Sequence, residues 1–209
     1  MSNQKKWVFG ILAMAICLLL IGYVRVGHVW QKMSDISYPY AKINTNFGRI
    51  YVELYPKEAP LAVKAFIQRA KNKGYDGTEF DRIVAGRMLV GGRKVRDGKR
   101  GQDPDFFLNE SVNNTLKNTL FSVGSLRAKE RHLSTSDFFI NLQDNDVLDA
   151  NRRYGNYGHC VYGQIIKGSK VVNKIIQSGL TVPYNEKQSK DRVQILSVSI
   201  HQDQGWFLE

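Results

Sequence analysis

One arginine in an apolar, strand-like stretch is the residue of this sequence best suited to chemistry. Arg82 lies between Phe80 and Ile83 in segment 74–92, which reads GYDGTEFDRIVAGRMLVGG. A guanidinium carries five donors and keeps its charge in a protein, so a half-buried arginine needs a partner or a task. Two interpretations follow: Arg82 is a fixed hydrogen-bond donor in a site, or it pairs with a carboxylate on the rim of a sheet.

The composition favours a folded domain rich in strands and turns. Of 209 residues, 43% are hydrophobic and 18 are glycine, enough for a core and many turns. The net charge of +11 fits a basic surface or work beside an anionic membrane. Nucleic-acid binding is not expected, because no stacking platform or major-groove helix is apparent. Cys17 and Cys160 lie far apart, so we predict no zinc site, no other metal and no cofactor.

The N-terminus reads as a membrane segment. Residues 7–24 carry no charge and would form about 27 Å of helix, close to the thickness of the hydrocarbon layer. A cleaved signal peptide is the alternative, but the run is long for one and no small-residue cleavage site follows. We therefore predict a short cytoplasmic tail at 1–6, an uncleaved anchor at 7–24 and a spacer at 25–39. The flanking charges favour, by a small margin, a domain on the non-cytoplasmic side, in the periplasm or a secretory lumen.

From Tyr40 onward the pattern is that of short strands. Strands are predicted at 40–45, 50–54, 79–84, 87–90, 119–126, 136–142, 159–166 and 192–201. Helices are expected to begin at Pro60 and at Ser169, with Gly74 and Gly179 as their stops. In the last strand the apolar parity shifts between Ile195 and Leu196, which predicts a β-bulge. Many short strands without βαβ alternation predict a mainly β fold: a closed antiparallel barrel of eight strands, capped by two α-helices.

Several separate segments give this chain a family resemblance. They are 46–56 (NFGRIYVELYP), 59–66 (APLAVKAF), 74–83 (GYDGTEFDRI), 134–142 (STSDFFINL) and 158–163 (GHCVYG), with Gly91-Gly92 between the third and the fourth. Together they resemble the cyclophilin-type peptidyl-prolyl cis-trans isomerases, in family order and with family spacing. The resemblance covers about 41–200, implies a domain at 40–203 followed by a tail at 204–209, and agrees with the strand count.

The resemblance implies roles for individual residues. Arg82 matches the catalytic arginine, while Met88 and Phe139 match the floor and wall of a slot for the proline ring. His159 matches a pocket histidine, although a structural histidine is an open alternative. Tyr154 stands where an aromatic residue marks the groove mouth, with Tyr157 as the alternative.

The chain departs from the family pattern beside the predicted slot. Arg87 replaces the usual phenylalanine, Val90 replaces a glutamine and Asp137 stands where glutamine is common. We predict that all three residues line the substrate-binding site. We expect Asp137 to pair with Arg82 or Arg87, and we expect weaker catalysis or an altered substrate preference.

The resemblance implies a monomeric, membrane-anchored prolyl isomerase that assists protein folding. Its substrates would be proline-containing polypeptides, with a preference for acidic ones because basic runs at 93–100 and 127–132 flank the groove. Anionic lipid and plain solvent are the alternative neighbours of these runs. A second hypothesis from another class is a catalytically weak module that binds proline peptides or assists assembly at a membrane.

Overall fold

The computed structural model describes residues 38–84, 86–93, 95–96, 99–100, 105–178 and 192–202. The predicted anchor at 7–24, its flanking tail and spacer, and residues 203–209 lie outside this part of the chain. Within the described ranges, no helix is long and apolar enough to cross a bilayer. The folded unit begins at Tyr38, two residues before the predicted start of the domain.

The described elements are eleven strands, two α-helices and two single 3₁₀ turns. The strands are β1 Tyr40–Thr45, β2 Gly48–Leu54, β3 Thr78–Val84, β4 Met88–Arg93, β5 Val95–Arg96, β6 Lys99–Arg100, β7 Phe106–Leu108, β8 Ser122–Arg127, β9 Leu133–Asn141, β10 Val161–Lys167 and β11 Val193–His201. The helices are α1 Pro60–Lys71 and α2 Ser169–Gln177, and the 3₁₀ turns are Asp146–Leu148 and Arg152–Tyr154.

Eight of the strands close into an antiparallel barrel, which confirms the predicted architecture. The order around the barrel is β4-β3-β11-β1-β2-β10-β8-β9, and β9 pairs again with β4. β7 adds a ninth strand beside β9, and β5 pairs with β6 in a separate two-stranded antiparallel sheet. The predicted bulge in the last strand is also confirmed, since Asn44 pairs with Ser197 and Thr45 with Ile195, leaving Leu196 as the extra residue.

The barrel interior and the two helices share one hydrophobic core. Each of the eight barrel strands contributes side chains to it, mostly from alternate positions, because successive residues of a strand point to opposite faces. Helix α1 adds Val63, Phe66 and Ala70 at helical spacing, and α2 adds Val172 and Ile175. The interior is thus filled, which leaves the outer faces of β4, β8 and β9 for a site.

Candidate active site

A second, smaller apolar cluster lies outside the barrel core, on strands β4, β8 and β9. Its members are Met88, Val90, Leu126 and Phe139, each less than a tenth exposed, and Val84 and Leu148 pack against it. Strand pairing brings them together, because Val90 lies opposite Phe139. The structure therefore joins the three predicted slot residues Met88, Val90 and Phe139. Sequence reasoning missed Leu126 and Leu148, whose apolar side chains look like ordinary core.

The aromatic ring of Phe139 depends on a glycine in the neighbouring strand. A Cβ at Gly124 would lie 2.6 Å from Cζ of Phe139 and 3.0 Å from the carbonyl oxygen of Cys160. A methyl group cannot occupy that space, so only glycine lets the ring approach β8 this closely. The sequence signal was available, since an isolated glycine inside a strand pattern often marks such a close approach.

His159 packs edge-on against Phe139, with 5.4 Å between the ring centroids and 86° between the planes. Burial, the largest cause, lowers the pKa of His159 to about 4, and the charge of Arg127 lowers it further, while the Ser125 carbonyl acts in the opposite sense. The ring is therefore neutral at pH 7. Nδ1 accepts a hydrogen bond from the Arg127 backbone N–H at 3.2 Å, so the proton is on Nε2. The Ser125 carbonyl oxygen, 3.4 Å from Nδ1, is not bonded in this tautomer.

The strand that carries Arg82 runs beside this cluster. Irregular pairing between Phe80 and Arg82 shifts the register, so that Phe80 pairs with Gly91 and Arg82 pairs with Val90. The backbone of the predicted catalytic residue thus lies next to a member of the apolar cluster. The side chain of Arg82 lies outside what the structure describes, and its role stays a prediction.

Two other predicted site residues lie on the surface. Arg87 is exposed in the turn before β4, which begins one residue later than predicted, and its carbonyl oxygen accepts from Leu142 N–H and Asn145 Nδ2. Tyr154 is 78% exposed in a 3₁₀ turn, and Tyr157, the alternative, is 40% exposed. Neither tyrosine belongs to the buried cluster, so a role for either would be at a rim.

Asp137 is buried among arginines that the sequence did not indicate. Its Oδ2 accepts from Arg93 Nε at 2.7 Å, and its Oδ1 lies 3.6 Å from Nη1 of Arg69. The expected pairing with Arg87 is therefore wrong: Arg87 is held in the turn before β4, whereas Arg93 follows Gly91-Gly92 directly beside β9. The expected pairing with Arg82 lies outside the described side chains. Because Asp137 is 1% exposed, its carboxylate serves mainly to balance the charges of Arg93 and Arg69.

Arg69 connects helix α1 to this network. Its Nη1 donates to Ser136 Oγ at 2.5 Å, its Nη2 donates to the Gly92 carbonyl at 2.7 Å, and its guanidinium lies 5.0 Å from the centre of the Tyr75 ring. An arginine near a helix C-terminus normally faces solvent, so the sequence alone suggested no buried role for Arg69. Its burial could have been predicted from its spacing, because Arg69 stands three residues after Phe66, on the apolar face of the helix.

Chemically, the site offers an apolar floor, a neutral histidine and a neighbouring arginine strand. Cys160 lies behind it, but burial raises the pKa of its thiol to about 12, so it is not a nucleophile at pH 7. Across the described ranges, no group of three or more His, Cys, Asp or Glu side chains could hold a metal ion. The arrangement suits binding of a small apolar ring beside the strand that carries Arg82.

Comparison with known proteins relates this chain to one protein family. Residues 40–200 match the model of the cyclophilin type peptidyl-prolyl cis-trans isomerase family. A peptidyl-prolyl cis-trans isomerase of Acinetobacter baylyi is 36% identical over 160 residues, which are 76% of this chain and 84% of that protein. The Escherichia coli peptidyl-prolyl cis-trans isomerase B is 34% identical over 133 residues, 63% of this chain and 80% of its own.

A solved structure agrees in fold. The cyclophilin type isomerase of Cryptosporidium parvum, solved in the presence of the dipeptide Ala-Pro, superposes with a TM-score of 0.61 at 23% identity, over 78% of this chain and 99% of that one. The family match extends from β1 to β11, and the apolar cluster lies inside it. The chain belongs to the cyclophilin-type peptidyl-prolyl cis-trans isomerase family.

Proposed function

We propose that this protein catalyses cis-trans isomerisation of X-Pro bonds in polypeptide substrates. The observation that carries the proposal is the cluster of Met88, Val90 and Phe139 beside the Arg82 strand, within a barrel that matches the family from end to end. The relatives that it resembles are themselves named as isomerases. None of the comparisons favours the alternative of a binding module without activity.

The reaction needs no covalent intermediate. Its barrier, about 18–20 kcal/mol, comes from the resonance that keeps the amide planar. The apolar cluster would hold the proline ring, and a fixed donor from Arg82 would favour the twisted amide, whose nitrogen becomes basic. Because such a donor acts mainly on the twisted form, it lowers the barrier rather than merely tightening binding.

Two substitutions adjust this site away from the family pattern. Val90 has no hydrogen-bonding atom with which to orient Arg82 or the substrate, and Arg87 puts a cation where an aromatic wall is usual. We expect catalysis that is slower than in relatives with the usual glutamine. A supporting contact should matter less than an essential oxyanion donor, whose loss costs about 2.7–4 kcal/mol.

The surroundings of the site favour acidic substrates. Arg127 bonds His159 through its backbone, and the exposed loop after it adds Lys129 and Arg131 against Glu130. Exposed charges of this kind act at long range and are screened by salt. The rate on an acidic proline peptide should fall with added salt more steeply than the rate on a neutral one; equal salt dependence would rule the preference out.

The remaining parts of the proposal concern location. The uncharged run at 7–24 would anchor a monomeric domain to a membrane, with the catalytic unit on the non-cytoplasmic side. There the enzyme would act on exported or membrane proteins as they fold. Membrane fractionation, followed by protease digestion of sealed and opened vesicles, would test both the anchor and its orientation.

The central experiment is a prolyl-isomerisation assay on the full chain with Arg82→Ala. We expect kcat/KM to fall about 10²- to 10³-fold, as for loss of an essential donor. Arg49→Ala is the matched control, because Arg49 is an exposed strand arginine on β2, and it should keep full activity. A wild-type rate no faster than that of Arg82→Ala, with proline-peptide binding intact, would support the binding module instead.

A further inference from the structure

A groove on the opposite side of helix α1 from the barrel core has no part in the proposed reaction. It has a volume of about 730 Å³ and runs between the exposed side of α1 and strand β7. The α1–β7 groove is lined chiefly by Leu61, Lys64, Ala65, Gln68, Phe106 and Phe107. None of these residues belongs to the apolar cluster of the active site.

The groove combines exposed apolar side chains with a positive rim. Phe106 is 55% exposed and Leu108, next along the same face of β7, is 59% exposed. Lys64 and Lys71 are exposed on the helix side, against one lining carboxylate, Asp105. Arg69 also lines the groove, but its guanidinium is already bonded to Ser136 and Gly92. The surface therefore favours a ligand with apolar and anionic groups.

Strand β7 also offers backbone groups. Among the strands described, it pairs with β9 alone. The Ser136 N–H donates to the Asp105 carbonyl and the Asn109 N–H donates to the His132 carbonyl, so the odd-numbered residues of this segment point their backbone groups at β9. By alternation, Phe106 and Leu108 point theirs away from β9. A strand edge with outward N–H and C=O groups is a template for an added strand.

We propose that the α1–β7 groove binds an extended, acidic segment of a partner polypeptide, which adds a strand to β7 beside Phe106 and Leu108. Apolar side chains of the segment lie in the groove, and its carboxylates face Lys64 and Lys71. The site needs no proline, so it is independent of the isomerase reaction. It would let the enzyme hold a polypeptide at one place while it isomerises an X-Pro bond elsewhere.

The test uses the full chain and a fluorescein-labelled, proline-free peptide of about eight residues in which Glu alternates with Phe or Val. A second peptide with Lys in place of each Glu is the matched probe. Fluorescence anisotropy at low salt should show the acidic peptide binding at least tenfold more tightly than the basic one. Equal binding of the two peptides would overturn the proposal.

Two variants locate the binding site. Phe106→Pro removes one outward N–H and leaves the pairing with β9, and proline is tolerated at such an edge position. Lys64→Glu with Lys71→Glu reverses the rim. Each should weaken binding of the acidic peptide about tenfold and leave the prolyl-isomerisation rate unchanged, which also reports correct folding. The control, Lys170→Glu with Lys174→Glu on the exposed side of α2, should change neither quantity.

Other occupants give different results. If deletion of residues 203–209 tightens peptide binding tenfold, the chain's own C-terminal segment fills the groove and the proposal is wrong. If the protein self-associates and Phe106→Pro abolishes this, the occupant is a second copy, which also overturns it. Unchanged binding in Phe106→Pro and in the lysine variant would place the peptide elsewhere.

Discussion

Phe138 and Phe139, adjacent on strand β9, lie in two apolar regions with different roles. The Phe138 ring points into the barrel, where Phe66, Tyr75 and Phe80 surround it edge-on at centroid distances of 5.6 to 5.9 Å. The Phe139 ring points outward, where it meets Gly124 and His159. Both rings are fully buried, so burial alone does not separate a core residue from a site residue.

The difference between the two regions lies in what surrounds each ring. Around Phe138 the ring contacts are mainly other aromatic side chains, which contribute dispersion and hydrophobic energy, and Gly92 also lies close to the ring. Around Phe139 the cluster is small, and it is completed by a glycine and an uncharged histidine. The inner region therefore carries the stability of the barrel, and the outer region carries the shape of the slot.

Truncation of each ring should separate these roles most clearly. Phe138→Ala should lower the free energy of unfolding by about 4 kcal/mol and preserve activity per folded molecule, because it opens a cavity in the shared core. Phe139→Ala should cost about half as much stability and abolish most activity. Urea unfolding and isomerisation assays on the same samples measure both. Equal losses of stability with equal losses of activity would erase the distinction.

The ion network at the edge of the slot should give the next largest effect. Asp137→Gln restores the residue usual in the family but leaves Arg69 and Arg93 without their shared carboxylate. Removing one partner from a buried ion pair typically costs about 3 kcal/mol. Arg93→Gln, which leaves Asp137 paired with Arg69, should cost less. A stable Asp137→Gln protein with raised activity would show that the aspartate serves specificity rather than stability.

His159 should make the outer region sensitive to acid. Its pKa is about 4 in the fold, below its ordinary value of 6.5, so the unfolded chain binds more protons between these pH values. Stability from this group is complete above pH 6.5 and is lost as pH falls toward 4, by roughly 3 kcal/mol. Thermal unfolding of the wild type and His159→Gln from pH 7 to 4 should show a shallower decline for the variant. Parallel curves would contradict the buried, neutral ring.

The smallest effect should come from the helix that closes the inner region. The Glu110 carboxylate accepts hydrogen bonds from the N–H groups of Leu61 and Ala62, at 2.9 to 3.1 Å, and so caps α1, whose own N-cap residue Ala59 makes no side-chain bond. Glu110→Gln should cost about 1 kcal/mol. Glu130→Gln, at an exposed loop position, is the control for a lost surface charge, and neither change should alter activity on a neutral proline peptide.

Local pattern predicted most of the barrel and less of its site. Period-2 alternation located the barrel strands, and the parity change at Leu196 located the bulge, because both features depend only on the order of neighbouring residues in the chain. Strand β7 was missed because three residues are too few for a period. The pairing of Asp137 with Arg93 and Arg69 was missed because it depends on which loop and which helix turn meet β9.

Gly74 is required by the fold, but for a different reason from the one that the sequence suggested. It was predicted as the stop of α1, yet the helix ends at Lys71 and the residue with a left-handed backbone is Lys73, at φ 56°. A Cβ at Gly74 would lie 2.6 Å from Cγ of Arg69. The glycine therefore makes room for the arginine that reaches Ser136, a requirement that no local pattern records.

The position of β11 has a consequence for how the protein is made. β11 lies between β1 and β3, and Tyr40 at the start of the domain pairs with His201 near its end. Because synthesis proceeds from the N-terminus, β1 and β3 wait with open edges until nearly the whole domain has been translated. Contacts so distant in sequence also slow folding. A protein that speeds the folding of other chains must itself be kept from aggregating until its last strand arrives.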